Sequence, residues 1–295
     1  MATSSLNPKS HCHARSNSFP SRQHPIFLQC NEHLCRLDDS DTTSSSSSSV
    51  SHELSGLQDL LVCVEKLFQL PLTQQAISQE SSEKWVDEVL DGSLRLLDVC
   101  TTAKDGLLLT KECVQELQSI IRRRRGGDME LATEIRKFLT SRKVVRKAIC
   151  KALGNLKGVE KKCTFSTANK DYQTVALVSL LREVQAVTLS IFESLLSFIS
   201  GPIQSKPSSW SLVSKLMKTK RVACRQEADA NEFAKVDVAL QSFMSQMTDK
   251  SDNIKDIQNP LEKLEPRIQD LEEGLESLFR RLIKIRVSLL NILNN

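Results

Sequence analysis

The chain has 295 residues, 40% of them apolar and 26% charged, with a formal net charge of +4. Nine glycines and eight prolines are too few turn residues for a large β-sandwich or barrel. With aromatics at only 4%, the core has to come from Leu, Ile and Val, which suits packed helices.

Residues 1–50 contain thirteen serines, including the run 44–49. This stretch is predicted to be a disordered arm, because so few large apolar side chains cannot offset the entropy of ordering. It has no Asp or Glu before Glu32, while Lys9, Arg15 and Arg22 are present, so it also has the composition of an organellar transit peptide.

Helical order is predicted from about Ser51 to the end of the chain as one bundle domain, 51–295. Leu54, Leu57, Leu61, Val64 and Phe68 recur at helical spacing, and Leu70-Pro71 stops that helix. A long second helix follows over about 82–124, with the stripe Val86, Leu90, Leu97, Leu107, Val114, Leu117 and Ile121. Gly92 and Gly106 each weaken it by about 1 kcal/mol relative to Ala if solvent-exposed. Gly126-Gly127 ends it, and Asp128 can cap the next helix.

That third helix steps through Leu131, Ile135 and Phe138, then Val145, Ile149, Ala152 and Leu156; Arg142 alone interrupts the apolar alternation. The fourth helix, about 171–200, is apolar on most faces and ends at Gly201-Pro202. It is interrupted by Arg182, Glu183 and Glu193, so no uninterrupted apolar run reaches the ~18 residues of a spanning helix. A further helical region is predicted from Ser209, with Trp210, Val213 and Leu216 on one side.

The C-terminal periodicity is the clearest. Leu264, Ile268, Leu271, Leu275, Leu278, Leu282, Ile285, Leu289 and Ile292 alternate steps of four and three, an unbroken heptad seam. Leu271, Leu275, Leu278, Leu282, Ile285 and Leu289 are therefore expected to be packing residues, on the chain's own bundle rather than on a partner. Acids precede bases along this helix, as its macrodipole favours. Pro260 and Pro266 are expected to kink or restart it. The fold class is thus an all-α, elongated bundle of about six to seven helices behind a disordered N-terminal arm.

Catalytic and metal sites find little support. All five histidines lie within the first 52 residues, so the helical region from Glu53 onward lacks Ser-His-Asp, Cys-His and Glu-x-x-His chemistry. Among carboxylates, Glu183 and Glu193 on the apolar helix are the best candidates, and exposure or pairing of Glu183 with Arg182 is the expected reading. His11, Cys12, His13, His24, Cys30, His33 and Cys35 match no standard zinc spacing. Nine cysteines with no CxxC pair, and no signal peptide at the start, point to free thiols in a reducing compartment. No phosphate-binding loop is present. No cofactor and no small-molecule substrate are expected.

Charge is unevenly spread. Residues 122–162 hold 14 bases against 4 acids. Arg122, Arg123, Arg124 and Arg125, with Arg136, Lys143, Arg146 and Lys147, form a candidate contact for an anionic surface, weighed against a simple solvated face. Nucleic acid is disfavoured, because aromatics for base stacking are sparse there. In the arm, Arg15-Ser16-Asn17-Ser18-Phe19-Pro20 has the form R-S-x-S-x-P. That pattern is similar to a 14-3-3 docking site on Ser18 phosphorylation, with Arg15 and Pro20 completing it.

Several segments resemble one family. HARSNSFPSRQHP (13–25), VDEVLDGSLRLLDVC (86–100), KECVQELQSIIRRRRGGD (111–128), SRKVVRKAICKALGNLK (141–157), SWSLVSKLM (209–217), NEFAKVDVAL (231–240) and LESLFRRLIKIRVSLLNIL (275–293) are similar to blocks of a plant-specific, BYPASS-related family of unknown biochemical function. The resemblance covers nearly the whole chain. It implies a role in root and shoot development and supplies no catalytic residues; some relatives are chloroplastic. The resulting expectation is a non-enzymatic helical scaffold or adaptor with protein partners, located in the cytoplasm. The alternatives are the chloroplast or the membrane periphery, and a peripheral protein that binds anionic lipid.

Overall fold

A computed structural model describes residues 24–40, 47–80, 83–123, 128–157, 172–201, 231–246 and 254–294. These hold eight helices and no strand: α1 Pro25–Ser40, α2 Ser47–Phe68, α3 Pro71–Gln79, α4 Lys84–Arg123, α5 Asp128–Lys157, α6 Tyr172–Ser200, α7 Glu232–Gln246 and α8 Ile254–Asn294. The all-α class holds. Three helices exceed the sequence expectation, α1, the short α3 and α7.

The longest helices, α4 with 40 residues and α8 with 41, are each about 60 Å long at 1.5 Å per residue. They pack along one another, and α2 flanks α8 on the other side. The seam of α8 makes this possible: Leu264, Ile268, Leu271, Leu275 and Leu278 are all fully buried. Leu282, Leu289 and Ile292 are buried as well, while Ile285 is only partly covered. α8 continues through Pro260 and Pro266. The buried stripe outweighs the ~3 kcal/mol that each internal proline costs.

α6 lies against α1, α2, α4 and α5. By length and composition it could cross a membrane, yet half of its apolar window is buried within the protein. Its Arg182 reaches Glu88 of α4 at 2.6 Å rather than its neighbour Glu183, which is exposed. α5 packs on α4, α6 and α7.

Pro71 sits at the first position of α3, where a missing N–H costs nothing, so the residue that ends α2 also starts α3. Ser78 of α3 then donates to the carbonyl of Ile292 at 2.9 Å, close to the end of α8.

The N-terminal boundary needs correction. α1 lies inside the stretch 1–50 expected to be disordered, and its Cys30, Leu34 and Leu37 are buried in the common core. Residues 1–23 and the helical region predicted from Ser209, through Arg221, lie outside the described residues.

The glycines of α4 also have a different role. A Cβ on Gly106 would sit 3.1 Å from Val145 Cγ1 of α5, and one on Gly92 would strike the Gln185 side chain of α6. Gly106 thus marks a close helix approach, and Gly92 leaves room for the Gln185 side chain, which donates to the Val89 carbonyl at 2.9 Å.

Candidate functional site

Three arrangements of polar side chains stand out. The first is internal. Arg142 interrupts the apolar stripe of α5, yet it is 1% exposed, and Asp237 of α7 is 3% exposed. Arg142 donates from Nε and Nη2 to the two carboxylate oxygens of Asp237, each at 3.2 Å. Nη2 also donates to the carbonyl of Ile199 at 2.8 Å. Arg146 donates to Asp237 and, at 2.8 Å, to the carbonyl of Ser200.

This arrangement follows from how α6 ends. The last carbonyls of a helix have no partner within it. Gly201, with φ 68°, breaks the helix in the left-handed region that suits glycine. The two arginines then satisfy the carbonyls at 199 and 200. Asn231 donates to the carbonyl of Phe198 at 2.7 Å and caps α7 by accepting from the Ala234 amide at 2.7 Å.

The Arg142 guanidinium lies 5.2 Å from the Phe233 ring centroid. Burial pulls its pKa below the ordinary arginine range, and the Asp237 carboxylate opposes that shift. The cluster joins α5, α6 and α7. The two guanidinium groups bridge the Asp237 carboxylate on one side and the helix-end carbonyls of Ile199 and Ser200 on the other.

The second arrangement is a groove of about 750 Å³ along the outer face of α8, bordered by α2 and α4. Nine of its eleven lining residues are ionisable, and most of them already pair. Lys104 meets Glu276 at 2.5 Å, Arg280 meets Glu276 at 2.7 Å, and Glu65 takes both Arg281 at 3.3 Å and Lys284 at 2.6 Å. The pairing with Lys104 and Arg280 lowers the Glu276 pKa. Leu108 is 52% exposed at the groove edge.

The third is the outer face of α5. From 135 to 157 this helix has no acidic residue. Arg136, Lys143, Lys147 and Lys151 are exposed on it, and none of the four has an acidic partner among the described residues.

Set against the sequence expectation, these findings split the basic candidates. Arg136, Lys143 and Lys147 share the α5 face, whereas Arg146 is turned inward to Asp237. Arg122 and Arg123 are exposed at the end of α4, and Arg122 donates to Gln118 at 3.1 Å. Arg124 and Arg125 lie outside the described residues, as do Arg15, Ser18 and Pro20. His24 and His33 sit at α1 and His52 on α2; among the described residues no group of His, Cys, Asp and Glu is placed to hold a metal ion. Sequence reasoning missed Asp237, although the signal was there. A lone base on one apolar stripe calls for a lone acid on another, and Asp237 lies among Phe233, Val236 and Leu240.

No curated protein and no solved structure matches the chain. The family model described as Protein BPS1 matches residues 53–292. That span runs from the first turns of α2 to the last turn of α8 and takes in the internal cluster, the groove and the α5 face. The chain therefore belongs to the BPS1 family, in agreement with the resemblance read from its sequence blocks.

Proposed function

We propose that this protein is a non-enzymatic helical scaffold or adaptor of plant root and shoot development, and that it receives protein partners along the outer face of α8. The observation that carries this reading is the groove. It is open and lined almost wholly by charged side chains, and its walls come from three helices that share one apolar core and are joined across the groove by ion pairs. Such a surface suits recognition through complementary charge and register, because no partner group has to be buried without compensation. The polar clusters support the same view, since their acids and bases neutralise one another and leave no activated nucleophile or general base.

On this reading the chain works in the cytoplasm. The arm adds a second docking point, a phosphorylated Ser18 between Arg15 and Pro20 offered to a 14-3-3 protein. The test is proximity labelling in a plant cell with the intact chain, and with a variant carrying Glu273→Lys and Arg280→Glu in the groove. A reproducible set of labelled proteins that the variant loses supports the scaffold. Identical labelling by both chains overturns the assignment of the groove.

A further inference from the structure

We propose that the outer face of α5 docks the protein on an anionic phospholipid membrane. This goes beyond the scaffold reading and does not depend on it, because the α5 face and the α8 groove are built from different residues.

Three observations carry the inference. The first is geometry. Arg136, Lys143, Lys147 and Lys151 follow one another at seven, four and four residues, which places them on one side of an α-helix. That side is opposite the buried Leu131, Phe138, Val145 and Ile149. The four cations span about 22 Å at 1.5 Å per residue, on a helix held along its inner side by α4, α6 and α7.

The second observation is charge that has not been neutralised. On α8 and its neighbours, Lys104, Lys111, Arg280, Arg281 and Lys284 each meet a carboxylate. On α5 the four stripe cations have no acidic partner among the described residues, and the helix has no acid after Glu134. Glu134 itself is buried and tied to Lys137 at 2.9 Å. The two other bases of this stretch that point inward, Arg142 and Arg146, are held by Asp237. Among the described residues the exposed charge is thus a surplus that no carboxylate offsets.

The third observation is the apolar side chains beside the cations. Val144, next to Lys143, is 58% exposed, and Met129, one heptad before Arg136, is 75% exposed on the same outward side. Aliphatic side chains among lysines suit the headgroup boundary, where cations meet phosphate and short apolar groups enter the interface. A convex helix face with a straight row of charges fits a flat anionic surface better than an acidic peptide, which would gain from the concave α8 groove instead.

The experiment is co-sedimentation of the full chain with phosphatidylcholine vesicles, with and without phosphatidylserine, over a series of salt concentrations. Binding is expected only with phosphatidylserine, weakening steadily as salt shortens the range of the attraction. The variant carrying Lys143→Ala, Lys147→Ala and Lys151→Ala should bind about a hundredfold more weakly, at about fivefold per charge. Alanine favours the helix, so its circular dichroism and melting temperature should match the parent. Lys147→Glu alone provides a second, smaller perturbation of the same face. A variant carrying Arg280→Ala and Lys284→Ala, which removes two paired cations elsewhere, should bind like the parent. Equal binding to both vesicle types, equal loss in the α8 variant, or full binding by the triple α5 variant would each overturn the proposal. So would capture by the α5 face of an acidic protein that phosphatidylserine vesicles fail to displace.

Discussion

Arg142 of α5 and Asp237 of α7, 95 residues apart in the chain, meet in a bidentate ion pair inside the core. Both side chains are almost completely removed from water, so removing one partner leaves an uncompensated charge. Asp237→Ala should cost about 3–5 kcal/mol, read as a lower denaturant midpoint at an unchanged slope. Replacing both residues, with Arg142→Met and Asp237→Leu, should recover much of that loss, because two apolar groups need no partners. A double variant no more stable than Asp237→Ala would show that the carbonyls of Ile199 and Ser200 need the arginine independently of the pair.

Leu278 is fully buried at the centre of the α8 seam, while Ile285, seven residues on, is only partly covered. Leu278→Ala should cost about 2–5 kcal/mol, and Ile285→Ala should cost less, because part of its surface already faces water. Equal losses in thermal or urea unfolding would show that the seam is buried evenly along its length.

Gly106 marks a close approach of α4 to α5. A Cβ there would lie 3.1 Å from Val145 Cγ1 and 4.0 Å from Ile199 Cγ2. Gly106→Val should therefore destabilise the chain by about 1–3 kcal/mol through overpacking, although glycine is itself a poor helix former. Pairing it with Val145→Ala should relieve part of the clash. Stabilisation by Gly106→Val would mean that helix propensity, worth about 1 kcal/mol, decides at this position.

The α8 seam was legible because the pattern along one helix is sufficient to identify a buried stripe. The end of α2 was legible for a similar reason: Pro71 acts on its own neighbours. Residues whose role depends on a second helix were not. Arg142 looked like a break in a stripe until Asp237 faced it. Gly92 and Gly106 looked like weak points until Gln185 and Val145 were placed against them. Arg146 counted toward a basic surface until the end of α6 took up its hydrogen bonds. Charge alone cannot tell an exposed base from one that satisfies a helix terminus, which is why the basic stretch was recognised and its members were not sorted.

The buried thiols tie stability to pH. Burial is the main reason that the Cys30 and Cys100 thiols are pushed up to about 12. The neighbouring Cys63 thiol adds to the effect at Cys30, and Cys100 donates a weak hydrogen bond to the Leu275 carbonyl at 3.7 Å. Above the ordinary thiol value of 9.0, the unfolded chain releases these protons while the folded chain keeps them. The contribution of the two thiols is therefore complete below pH 9 and is lost as pH rises toward about 12. Unfolding midpoints should fall through that range. A Cys100→Ala variant should show a shallower fall than the parent. At neutral pH, iodoacetamide should label the exposed Cys35 and Cys150 well before Cys30 or Cys100, as read by mass spectrometry. Labelling of Cys30 as fast as Cys35 would contradict its burial.

α1 lies ahead of the span matched by the family model, which begins at residue 53, yet it packs on α2 and α6 as part of the same core. Phe27, Cys30, Leu34 and Leu37 step by three, four and three, the same alternation that defines α8. Serine-rich flanks obscured it, because a short apolar stripe contributes little to the average composition of a fifty-residue window. Leu37 is held closely: a Cβ on Gly56 of α2 would fall 2.8 Å from its Cδ2. Deleting residues 1–46 should therefore bare the side of α2 and α6 that α1 covers. Each buried side chain lost is worth about 1.5–3 kcal/mol, offset in part by the conformational entropy that the deleted segment no longer has to lose. The expected outcome is a lower melting temperature, by roughly 2–4 °C for each kcal/mol of net loss in a chain of this size, together with increased binding of an apolar dye. Deleting only residues 1–23 leaves α1 in place and should leave the melting temperature where it was. Gly56→Val tests the same contact without truncation, since the new side chain must displace Leu37. If the 1–46 deletion and Gly56→Val both melt like the parent, α1 contributes nothing to the core, and the domain begins where the family model does.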